Sequence, residues 1–113
     1  MDKLTHYRAL IKQLFQERAD LMNGQPVEGL ETLCLFDEER DQYLLHNVGW
    51  CDHQRVQYIT LLARIHNGKI WIEEDGTEEG LASMLVEEGV PKVDIVIAYN
   101  PPELRHLTSY AAA

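Results

Sequence analysis

Apolar residues recur at three- and four-residue steps over residues 3–22: Leu4, Tyr7, Leu10, Ile11, Leu14, Phe15, Leu21 and Met22. That spacing gathers them on one stripe of a helix. Arg8, Lys12, Glu17 and Asp20 fall mostly on the other side. Asp2 is placed to cap the first turn, and Asn23-Gly24 followed by Pro26 supplies the stop. Residues 30–74 then read as strands: Leu30–Asp37, Tyr43–Cys51, Arg55–His66 and Lys69–Glu73. Asn67-Gly68, between β-branched and aromatic neighbours, is a strong hairpin signal, because a type I′ turn needs positive φ at both central residues. This turn predicts His66 opposite Lys69, Ile65 opposite Ile70 and Arg64 opposite Trp71. The expected result is a four-stranded antiparallel meander.

Both faces of that sheet carry apolar side chains. Tyr43 and Leu45 are expected on one face, with Leu44, Val48 and Trp50 on the other. In the third strand, Ile59, Leu61 and Ile65 are expected to oppose Val56, Tyr58 and Leu62. A sheet with one wet face alternates more cleanly. Helices or a second subunit should therefore cover part of the second face, and a homodimer is the expectation.

A second helix is predicted over Glu78–Glu88, capped either by Asp75 with Glu78 three residues on or by Thr77. Its stop is complete in sequence: Gly89 for the left-handed position, Val90 to touch Leu85, and Pro91 to prevent continuation. Residues 94–99 are short, apolar and β-branched and form a buried final strand, and a tail follows Asn100. The fold class is α+β: N-terminal helix, four-stranded meander, second helix, short final strand and C-terminal tail. With no repeat or linker, residues 1–113 read as one domain.

Charge narrows the functional classes. Nineteen acidic against ten basic side chains give a net charge of −9. Residues 1–57 carry ten acids and six bases, and residues 58–113 nine and four, so no basic stripe stands out. Duplex affinity rests largely on neutralising phosphates, which this balance disfavours. Direct DNA binding would need Arg40, Arg55, Arg64, Lys69 and Arg105 to converge on one face. The N-terminus lacks a signal-peptide pattern, and no window approaches the ~20 apolar residues of a membrane span. A soluble cytoplasmic protein is expected.

Catalytic chemistry is poorly supported. The carboxylates at 37–41 lack the alternating ligands and glycine of a calcium loop and read as a solvated turn. Cys51, Asp52 and His53 could make a small hydrolase only with a base in reach of the thiol, and no oxyanion device accompanies them. Cys34 and Cys51 read as two reduced thiols, with a disulfide left open. No enzyme activity, cofactor or metal is expected.

Contact chemistry is better represented. Glu73, Glu74, Asp75, Glu78, Glu79, Glu87 and Glu88 lie within sixteen residues that contain no Lys or Arg. Either this is a plain solvated face, or it is an acidic docking surface for a basic partner. Trp50 and Trp71 lie on neighbouring parts of the meander by this reading, and Arg55 begins the strand after Trp50. Tryptophan, tyrosine and arginine dominate binding hot spots. The tail offers Pro101, Pro102, Arg105 and Tyr110, either as contacts or as a strap across its own domain. Candidate partner-binding residues are thus Trp50, Arg55, Trp71, Glu78, Glu79, Glu87, Glu88, Pro101, Pro102, Arg105 and Tyr110.

Several blocks occur in a telling order: Tyr43-Leu44-Leu45, Gly49-Trp50, Arg55-Val56, Gly68-Lys69-Ile70-Trp71-Ile72, Asp75-Gly76-Thr77-Glu78, Gly89-Val90-Pro91-Lys92, Asp94-Ile95-Val96 and Pro101-Pro102. Together they resemble the XisI-like family, that of the fdxN-element excision controlling factor of heterocyst-forming cyanobacteria, over essentially the whole chain. His53 and the apolar pair Leu62-Ala63 depart from its more polar pattern. The resemblance implies a control role in excision of a DNA element by a site-specific recombinase, alongside a companion XisH-like protein of nuclease-like fold. It implies no catalytic set. An acidic protein of this kind is expected to act by binding that partner.

Overall fold

A computed structural model describes residues 2–24 and 29–113. Helix α1 spans Lys3–Gly24, two residues beyond the predicted end, and the stop assigned to Pro26 lies outside the described residues. Asp2 caps it as expected: its carboxylate accepts the Thr5 amide at 2.8 Å and the Thr5 hydroxyl at 2.9 Å. Four strands follow: β1 Leu30–Asp37, β2 Gln42–Cys51, β3 Gln54–His66 and β4 Lys69–Asp75. Helix α2 spans Leu81–Glu87 and strand β5 Ile95–Ile97. The sheet order is β1-β2-β3-β4-β5, with the first four antiparallel. Strand β5 runs parallel to β4, so the meander is extended by a β4-α2-β5 crossover into a mixed sheet.

The β3–β4 hairpin is the predicted one. Asn67 and Gly68 have φ of 52° and 75°, and the three predicted pairs are in register. The α2 stop also follows the sequence: Gly89 has φ 97°, and the Val90 amide donates to the Leu85 carbonyl at 3.0 Å. The start differs. Gly80, at φ 85°, cannot be helical, and the Asp75 carboxylate reaches past it to accept the Leu81 amide at 2.7 Å. Residues 76–80 are consequently a capping loop rather than the first turn of the predicted Glu78–Glu88 helix.

One face of the sheet packs on α1 and α2. Tyr7, Leu10, Ile11, Phe15 and Ala19 from α1 meet Tyr43, Leu45, Leu61, Ala63, Ile65, Ile70 and Ile72, with Leu81 and Leu85 from α2. A β-bulge interrupts β3 at Thr60: Leu45 pairs with Leu61 and His46 with Ile59. Directly paired residues share a face, and a bulge reverses the alternation beyond it. Ile59 therefore joins Leu62 on the far face, while Tyr58 pairs with Asn47 on the helix side. This corrects the predicted grouping of Ile59 with Leu61 and Ile65.

Polar groups under α1 fix it to the sheet. Arg8 donates twice to Asp41, at 2.8 and 3.1 Å, and the Tyr43 hydroxyl donates to the same carboxylate at 2.8 Å. The Tyr7 hydroxyl donates to Asp94. Asp41, expected in a solvated turn, is instead mostly buried in this clamp. The Arg8 guanidinium is the main reason its carboxyl titrates below the usual 3.8, and burial pushes the Tyr43 phenol upward. A depressed carboxyl pKa adds stability above the unfolded value that is lost as pH falls through the folded one. Asp41→Asn is expected to cost roughly 2 kcal/mol at neutral pH. In urea titrations, the gap to the parent protein should close as pH drops below 3.8.

Candidate functional site

The acidic stretch brackets α2, with Glu78 and Glu79 before it and Glu87 and Glu88 at its end. Glu74, Glu78, Glu79, Glu87 and Glu88 are all exposed. Seven helical residues span only ~10 Å, so the pair before α2 and the pair at its end act as one patch. Glu79 meets Arg18 at 3.4 Å, whereas Glu78, Glu87 and Glu88 form no ion pair among the described residues. Glu87 and Glu88 sit at the end of the helix where the backbone dipole is also negative. The resulting negative potential has no compensation within its own element. Beside it lies a recess of about 360 Å³ lined by residues including Arg18, Tyr58, Thr60 and Glu74.

The aromatic candidates separate. Trp50 pairs with Arg55 at the β2–β3 hairpin, whereas Trp71 pairs with Arg64 near the β3–β4 hairpin. Nine residues of β3 at ~3.3 Å each put them about 30 Å apart, so they are not neighbours. Trp50 is 59% exposed and carries the Arg55 guanidinium 5.8 Å above its ring. Trp71 is flanked by Arg64 at 5.2 Å and Arg105 at 5.6 Å, and its indole donates to the His66 carbonyl at 3.0 Å.

The tail lies on its own domain. Pro101 leads into a 3₁₀ segment, Pro102–Leu107, and both prolines are exposed. Arg105 donates to the carbonyls of Asn100 at 3.1 Å and Ala98 at 3.0 Å. Tyr110 packs against the core with Lys92 5.6 Å from its ring, and Ala111 bridges Val96 beside β5. The basic residues considered for DNA are largely committed. Arg40 pairs with Asp37, Arg64 with Glu73, and Arg105 with backbone carbonyls. Arg55 lies at the opposite end of β3 from Arg64.

Asp52 and His53, both at positive φ, form the β2–β3 turn directly after Cys51, the last residue of β2. Cys34 pairs with Leu45, six residues along β2 from Cys51, or ~20 Å. The two thiols are therefore far beyond the ~7 Å limit for a disulfide. Burial raises the Cys34 pKa. Among the described residues, no three His, Cys, Asp or Glu side chains are grouped to hold a metal, and no helix is long and apolar enough to cross a membrane.

Sequence reasoning missed one device. The Asn23 side chain accepts from the Thr32 amide at 3.1 Å and donates to its carbonyl at 2.9 Å, occupying the outer edge of β1. Thr32 in turn donates to Asn47, and Asn47 to Thr60, so a polar ladder runs across the sheet beneath α1. The signal available was an asparagine at a helix end, which reads first as a cap.

The architecture is that of a small α+β protein with exposed acids around α2 and exposed leucines, Leu33 and Leu35, on the edge strand β1. Residues 1–112 match the family described as XisI protein, and the chain belongs to that family. A solved XisI-like protein from Anabaena variabilis ATCC 29413 is 33% identical, with a TM-score of 0.91 over 97% of this chain and 99% of that one. The fdxN element excision controlling factor XisI of the same organism is 42% identical, with a TM-score of 0.87 over 99% and 100%. No curated protein sequence matches the chain.

Proposed function

We propose that this protein is a non-enzymatic controlling factor for excision of a DNA element, acting by binding an XisH-like protein of nuclease-like fold. The family and the similar excision controlling factor support the process. The observation that carries the binding mode is the acid patch around α2, in which Glu78, Glu87 and Glu88 have no ion-pair partner among the described residues. A protein that handles DNA presents basic surface, and complementary charge both orients and accelerates docking. The commitment of Arg40, Arg64 and Arg105 to intrachain partners favours this reading over direct binding to a duplex.

Co-purification with the XisH-like protein of the same genome is expected at low salt and should weaken as salt rises. Reversing Glu78, Glu79, Glu87 and Glu88 to lysine should weaken association by at least about tenfold while leaving the melting temperature nearly unchanged, because exposed charges contribute little to folding. Absence of association at micromolar concentration at every ionic strength would overturn the proposal, as would equal binding by the reversed variant.

A further inference from the structure

Beyond the acid patch, the sheet has a second surface that neither helix covers. Residues paired across the strands give its rows: Asp37, Gln42, Arg64 and Trp71; then Leu35, Leu44, Leu62 and Glu74; then Leu33, His46 and Ile59; then Glu31, Val48 and Gln57. The tail closes only the β4–β5 side, where Arg105 lies on Trp71 and Val96 is fully buried. Over β1–β3 the surface is bare: Leu35 is 54% and Leu33 40% exposed. Six aliphatic side chains, Leu33, Leu35, Leu44, Val48, Ile59 and Leu62, thus occupy one patch, with Glu74 at its β4 margin.

We propose that a second copy of this chain docks on this face, sheet against sheet, about a two-fold axis lying along β2. The charge distribution selects the occupant. On this face Asp37 is paired with Arg40 and Arg64 with Glu73, and Glu74 stands beside Leu62, which leaves Glu31 on the β1 flank uncompensated against Arg55 and Lys69 on the β3–β4 flank. A half-turn about an axis along the strands lays each flank over its opposite, twice, with the leucines between. Two chains of charge −9 repel elsewhere, so this neutral, self-complementary face is where they can meet. A basic partner would match only one flank and finds a better site around α2. Edge pairing through β1 is obstructed by Asn23, which already holds the Thr32 amide and carbonyl.

The size of the face sets the strength. Strands rise ~3.3 Å per residue and lie ~4.8 Å apart, so the bare area is roughly 25 by 15 Å. That is small beside the about 800 Å² per partner of a standard interface. The pair is reversible, with dissociation in the micromolar range. Glu31 and Arg55, which have no ion-pair partner among the described residues, contribute to its register.

Sedimentation velocity and light scattering from about 1 to about 200 µM test this by mass action. The mass should rise from one chain to two and no further. Leu35→Glu should raise the dissociation constant at least about tenfold, with its melting temperature at low concentration kept as the control for folding. Glu31→Arg and Arg55→Glu should each weaken the pair, and the double variant should recover it. These two positions keep the test decisive if Leu35→Glu folds poorly. A single-chain mass throughout, a larger assembly, unchanged affinity in a folded Leu35→Glu variant, or no recovery in the double charge swap would each overturn the proposal. None of these results bears on Glu78, Glu79, Glu87 and Glu88, which flank α2 on the other side of the sheet.

Discussion

Truncating Phe15 to alanine should cost about 3–5 kcal/mol of folding stability, the range for removing a large buried aromatic side chain. Phe15 is fully buried at the centre of the α1 stripe, among residues drawn from both helices and from β2 to β4. The gap cannot be closed by a small shift, because α1 is pinned by the Arg8–Asp41 pair and by the Tyr7–Asp94 hydrogen bond. Domains of this size melt roughly 4–8 °C lower per kcal/mol lost. Calorimetry should therefore find a drop of about 12 °C or more, or a chain unfolded at ambient temperature. A drop of a few degrees would mean that α1 is not the lid of the core. The neighbouring Leu14 is only partly buried, and its truncation should be milder.

Gly49→Ala should be comparably damaging for a different reason. The backbone there has φ 153°, and a Cβ would lie 1.8 Å from the Gly29 carbonyl oxygen and 2.9 Å from the Leu30 Cα. The two segments approach because the Trp50 amide donates to that same Gly29 carbonyl at 2.9 Å. A methyl group must push β1 away from β2 at the entry to the sheet. Overpacking and backbone strain together cost roughly 2–5 kcal/mol, to be read as a lower urea midpoint. Gly89→Ala is the natural comparison. Gly89 has φ 97°, but a Cβ added there would meet no atom within 4 Å. It should lose only the left-handed penalty of about 1–2 kcal/mol. Equal losses at the two positions would refute the steric explanation.

These residues show where the sequence is informative. Signals that act within a few residues are legible: Asp2 as a cap, Asn67-Gly68 as a type I′ turn with its three cross-strand pairs, and Gly89-Val90 closing α2 on Leu85. What depends on distant partners is not. The Thr60 bulge arises in the pairing of β2 with β3, so a strict period of two assigns Ile59 and Tyr58 to the wrong faces. Asp41 looks like one of several solvated acids, and only the docking of α1 gives it Arg8. Tyr7 and Tyr43 read as apolar, although a buried hydroxyl requires a partner and could have pointed to Asp94 and Asp41. Gly49 enters only as part of a resemblance block, since its need is created by Gly29 across the strand pair.

The candidate surface is legible in the same uneven way. Exposure of the acids around α2 follows from their density and from the lack of nearby cations. The tail resolves toward the strap alternative, because Arg105 spends its donors on Asn100 and Ala98. The separation of Trp50 and Trp71 is legible, because the predicted third strand begins at Arg55 beside Trp50 and sets Arg64, nine residues on, opposite Trp71. Placing them on neighbouring parts of the meander overlooks the length of that strand.

The amide of Asn23 on Thr32 has a wider implication. Fibrous aggregates grow by adding backbone to an unprotected outer strand. Here the Asn23 side chain occupies the β1 margin at Thr32, and Ala111 bridges Val96 at the β5 margin. Strand addition is therefore obstructed in the middle of each margin, and concentrated solutions of this acidic protein should resist forming amyloid-type fibrils.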